Sequence, residues 1–81
     1  MTTRVPNALF ALESRRGRVA VIIEADDRSQ ALRRLRWLVS AAPFISLPLE
    51  TGTLMRLPPG VPVPSRVPYV SSRTFEEADI D

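Results

Sequence analysis

The run Val19-Ala20-Val21-Ile22-Ile23 is apolar at every position. Successive residues of a strand point to opposite faces, so such a run is stable as a strand only if both faces are covered. The sequence therefore predicts a central strand over 18–25. The constraint is severe because an 81-residue chain buries only about 60–65% of its unfolded surface. There is no cysteine to staple the fold, which leaves packing, oligomerisation or docking on a partner as the means of support. Residues 7–14 ("NALFALES") read as a second strand. Arg15-Arg16-Gly17 between the two reads as a tight hairpin turn, with Gly17 free to take positive φ.

Asp27 stands three residues before Gln30, the spacing of a capping box, in which a side-chain oxygen accepts from the first helical turn. A helix is predicted from Arg28 to Ala42, ending before Pro43, whose ring disfavours helical geometry in the preceding residue. Two further strands, 44–50 and 53–57, are expected to form a second hairpin around Thr51-Gly52. Pro48, which cannot donate to a ladder, marks the first of them as an edge or bulged strand. Five of the eleven residues from Pro58 to Pro68 are proline, which suggests an extended, polyproline-like arm. The predicted fold is α+β, in the order β-β-α-β-β: a small antiparallel or mixed sheet with one packed helix and a right-handed crossover from the second strand to the third. The predicted organisation is a compact domain over 1–57, followed by a proline-rich extended arm and acidic tail over 58–81.

On a helical wheel centred on Leu35, Ala31, Leu32, Leu38, Val39 and Ala42 fall within about 60°. The only tryptophan does not. Trp37 lies roughly 160° away, beside Arg33, Gln30 and Ser40 and flanked by Arg34 and Arg36. Arg33, four residues earlier on the same side, is placed for stacking on the indole. Three readings of Trp37 are open. The C-terminal segment folds back over it, with proline and Tyr69 as the shield. Alternatively it is an exposed anchor for another macromolecule, since Trp and Arg dominate interface hot spots. In the third, the helix is rotated from this wheel or the ring is exposed without a role. The second reading makes Trp37, Arg33, Arg34, Arg36, Gln30 and Ser40 the candidate partner-binding residues.

Catalytic chemistry finds little material here. Histidine, cysteine and lysine are all absent, which removes the ordinary zinc sites, the His-activated nucleophiles and the Schiff-base lysine. Three scattered glycines cannot build a phosphate loop. The acidic group Glu24, Asp26 and Asp27 reads better as a strand end and a helix cap than as a cation site. The expectation is a non-enzyme with no catalytic residue, no cofactor and no metal. All eleven basic residues are arginine; residues 1–40 carry +4 and residues 41–81 carry −2, which sum to +2. This asymmetry hints at polyanion binding or charge-complementary docking. Pro59 to Pro62 forms a P-x-x-P match without an arginine at the usual flanking spacing. No segment has the length of a signal peptide core or a membrane span, so a cytoplasmic location is expected, with no membrane partner.

Residues 24–34 ("EADDRSQALRR") and 52–57 ("GTLMRL") resemble small phage-encoded anti-CRISPR proteins of strand–helix–strand build. The matching positions are Glu24, Ala25, Asp27, Ser29, Gln30, Ala31 and Arg33, then Gly52, Thr53, Met55 and Arg56. The resemblance implies a non-enzymatic inhibitor, acting in the host cell, that occupies the nucleic-acid-binding surface of a CRISPR surveillance complex. It implies no particular contact residues. The expected partner is thus a protein, within a nucleic-acid-handling complex. The alternatives are a direct, weak nucleic-acid binder using the arginine-rich helix face, and a virion or assembly subunit. Homo-oligomerisation is compatible with each.

Overall fold

The computed structural model describes residues 8–42 and 46–80. Its elements are β1 (Ala8–Glu13), β2 (Val19–Ala25), α1 (Arg28–Ala41), β3 (Thr53–Arg56), β4 (Tyr69–Val70) and α2 (Ser72–Glu77). They form a small α+β fold on one four-stranded sheet, ordered β3-β1-β2-β4. β1 pairs antiparallel with both β2 and β3, and β4 pairs parallel with β2. The turn between β1 and β2 forms where Gly17 adopts φ +80°.

β2 is buried on both sides, as its composition requires: Val21, Ile22 and Ile23 are 3%, 1% and 0% exposed. Phe10, Leu12, Val21, Ile23 and Ala25 form one cluster with Ala31 and Leu35 of α1, Leu54 of β3 and Phe75 of α2. Ala11 and Ile22, partners across β1 and β2, alternate to the other face, yet each is only 1% exposed. Both later connections cross the sheet. α1 carries the chain from β2 across β1 to β3, and residues 57–68 bring it back across β1 and β2 to β4. That return passage carries Leu57, Val63 and Val67 half-buried, and Pro68 O accepts from Ile22 N–H at 2.9 Å where it meets β2.

Three expectations need correction. The second hairpin does not form. Residues 46–50 are coil and turn, while Phe44 and Ile45 lie outside the described residues. β3 pairs with β1 instead, joining Glu13 to Thr53 and Phe10 to Arg56. Gly52 makes this edge accessible: its N–H donates to Pro48 O at 2.8 Å. A Cβ there would lie 2.5 Å from Pro48 O and 2.8 Å from Glu13 O, so only glycine lets the chain enter so close to β1. The 58–68 segment is not one extended arm either. Val61 N–H bonds to Pro58 O and Val67 N–H to Pro64 O, and Gly60 at φ +83° completes a turn at Pro59-Gly60 that bends the P-x-x-P stretch. Finally, the compact unit does not end at residue 57. Val70 bonds into the sheet and Phe75 is fully buried. Among the described residues no helix is long and apolar enough to cross a membrane.

The helix start is as expected. Gln30 N–H donates to Asp27 Oδ1 at 2.8 Å, and Gln30 Oε1 accepts from Asp26 N–H at 2.7 Å. The return bond reaches one residue earlier than in the standard box. Asp27→Ala should cost about 0.5–2 kcal/mol of stability, read as a lowered midpoint in urea with an unchanged slope; an unchanged midpoint would mean that this cap does not hold the helix.

Candidate partner-binding face

The buried side of α1 is turned from the expected axis toward Arg34. Ala31, Arg34 and Leu35 are its buried residues, while Leu32, Val39 and Leu38 are half-buried flanks. Arg34 is therefore not part of an outward face. It is 4% exposed, and its Nη1 donates to Glu24 O at 2.7 Å and to Ser72 Oγ at 2.9 Å. The guanidinium carbon sits 4.9 Å from the Phe75 ring centroid, a cation–π arrangement. An arginine cannot enter an interior by becoming neutral, so its burial depends on these acceptors and the aromatic face.

Glu24 completes the arrangement from the strand side. Its Oε1 accepts from Ser72 N–H at 2.7 Å, which holds the first turn of α2. Its carboxylate also bonds the Tyr69 side chain, and desolvation, this hydrogen bond and the nearby negative charge together raise the Tyr69 pKa above 10.0. The acidic group seen in the sequence is thus divided between tasks: Glu24 anchors β4 and α2, and Asp27 caps α1. Among the described residues no group of three or more potential metal ligands comes together.

Trp37 is half-buried. The C-terminal segment does fold against it, but the covering residue is Phe75. The rings meet edge to face with centroids 5.8 Å apart and planes at 74°. The expected Tyr69 shield is elsewhere, paired with Ile22 at the sheet edge and 44% exposed. Gln30 is engaged in the cap. Arg33, Arg36 and Ser40 are exposed, and with Ser29 they form the outward stripe of α1. Neither Arg33 nor Arg36 has an ion pair among the described residues, where Arg73 with Glu77 on α2 supplies an exposed i,i+4 pair. Sequence reasoning missed Ser72 and Phe75 as the partners of Arg34. The available signal was an isolated aromatic in an otherwise polar tail, "SSRTFEEADID". An open depression beside α1 is lined by Val39, Leu47, Pro48, Leu49, Glu50 and Thr51.

Comparison with known families, characterised proteins and solved structures finds no match.

Two measurements test this arrangement. Arg34→Ala should lower stability by about 2–4 kcal/mol, since it leaves buried acceptors unpaired, whereas Arg33→Ala should stay within about 0.5 kcal/mol. Equal effects in urea unfolding would show that Arg34 is not the internal one. The second test uses the only tyrosine. Its raised pKa means that the folded state favours the neutral phenol. This contribution is complete below the ordinary tyrosine range and is lost as pH rises through the higher folded value. Phenolate absorbance should therefore titrate above 10.0 in the native chain, and Glu24→Gln should bring the midpoint down.

Proposed function

We propose that this chain is a non-enzymatic protein-binding module, an inhibitor of phage or mobile-element type, that docks on a nucleic-acid-handling complex in the host cytoplasm. The observation that carries the reading is the outward stripe of α1. Exposed Arg33 and Arg36 border a tryptophan whose ring is already held by Phe75. A ring fixed before binding loses less conformational freedom on docking, and Trp with Arg is the composition of interface hot spots. The interior position of Arg34 favours a protein partner over a polyanion on this face, because it leaves two arginines there rather than three.

The resemblance to anti-CRISPR proteins supports the choice of partner class, and it falls on the scaffold. Ala25 and Ala31 are fully buried, Asp27 and Gln30 form the cap, and Gly52 allows the close approach to β1. The contact residues proposed here accordingly come from exposure, not from the matched positions.

The test is inhibition of target-DNA binding by a panel of purified CRISPR surveillance complexes, read by gel shift. The native chain should release DNA from at least one complex, and Arg33→Glu/Arg36→Glu should not, with its melting temperature nearly unchanged. Trp37→Ala should weaken inhibition by roughly 30- to 1,000-fold, the range for losing an interfacial anchor, and should also lower stability through the lost Phe75 contact. No inhibition across the panel would remove this reading.

A further inference from the structure

The turn between β1 and β2 has a surface character that the docking reading for α1 does not use. Arg15, Arg16 and Arg18 are all exposed, within four residues, and have no ion pair among the described residues. The turn that carries them is well tied. Gly17 N–H donates to Ser14 O at 2.9 Å and Ser14 N–H to Arg18 O at 2.7 Å. Arg18 N–H adds a bond to Ser14 Oγ at 3.3 Å, and Gly17 takes φ +80°. This is a type I turn closed by a left-handed glycine, with Arg15 and Arg16 at its two central positions.

From this we infer that the β1–β2 turn is a second contact surface, one that takes the phosphodiester backbone of a nucleic acid. Guanidinium forks match phosphate oxygens two at a time, and a fixed turn presents them without first being ordered. A two-stranded ribbon is also of a size that the major groove admits. Asp26 and Asp27 lie at the far end of β2, about 20 Å away at the usual strand rise. Two carboxylates lie at this end of the sheet: Glu13, whose Oε1 would lie 3.9 Å from a Cβ on Gly17, and exposed Glu50, two residues before the Gly52 that abuts Glu13; the three arginines of the turn outnumber them. A nucleic acid fits this tip better than an acidic protein does. Duplex DNA carries a charge about every 1.7 Å, so closely spaced arginines each find a phosphate, while a folded protein would need carboxylates spaced to match. The inference is independent of docking through α1, since turn and stripe belong to different elements and can be neutralised separately.

Fluorescence anisotropy of a labelled 20-base-pair duplex with the full chain tests it. Three phosphate contacts predict a slope of about −2.7 in log K against log salt, or about 40-fold weaker binding between 50 and 200 mM. Arg15→Gln/Arg16→Gln/Arg18→Gln should abolish binding with melting temperature unchanged, and Arg15→Lys/Arg16→Lys/Arg18→Lys should keep most of it. Arg33→Gln/Arg36→Gln should leave both affinity and slope intact. The inference is overturned if the native chain does not bind at 50 mM salt, or if binding survives the glutamine variant. It is equally overturned if binding follows Arg33 and Arg36, or if polyglutamate competes as well as DNA with the same dependence on the turn, which would assign the tip to acidic proteins.

Discussion

A buried guanidinium ties the three parts of this fold together. Arg34 belongs to α1, its acceptors to the end of β2 and the start of α2, and the ring beneath it to α2. Leaving a charge in an interior without partners costs several kcal/mol, so each of these elements is needed by the others. α2 is only six residues long, too short to be stable as an isolated helix. It persists because Glu24 holds its first N–H and because Phe75 lies in the core. Trp37 then rests on Phe75, so the aromatic at the proposed docking face is positioned by the same cluster.

The second constraint is the double burial of β2. A helix of fourteen residues supplies one layer. The return passage over residues 57–68 is rich in proline, which suits a short chain for an entropic reason. Proline restricts the unfolded chain in advance, so ordering an irregular segment of this kind loses less freedom than ordering an ordinary loop. Burial of each large aliphatic side chain contributes about 1.5–3 kcal/mol, and β2 places Val21, Ile22 and Ile23 in succession in the interior. Gly52 is part of the same solution, since it brings β3 against β1 and lets Leu54 reach the core.

The helix wheel illustrates how far the site was legible. It separated an apolar stripe from a polar one and identified Arg33, Arg36 and Ser40 as outward, where they are. Its axis lies too far toward Val39, because a wheel treats arginine as a solvent residue, whereas Ala31, Arg34 and Leu35 are the buried ones. Once Arg34 is accepted inside, Trp37 becomes the shoulder of the buried side instead of its opposite pole. Periodicity weighs each residue by its own polarity. It has no means of crediting an arginine with acceptors and an aromatic ring contributed by residues nearly forty positions away.

What the sequence determined by itself is what neighbouring residues decide among themselves. The Asp27 cap, the β1–β2 turn at Gly17 and the strand character of Val19–Ile23 each arise within a few residues, from side-chain reach, backbone freedom or alternation. The tertiary structure alone decided which edge of the sheet β3 would join, that Tyr69 and Val70 would add a parallel strand to β2, and that the C-terminal segment would belong to the core. These outcomes depend on contacts such as Arg34 with Ser72 and Glu24 with Ser72, separated by 38 and 48 residues. Their energy appears only after the chain has crossed the sheet twice, so no local pattern carries it.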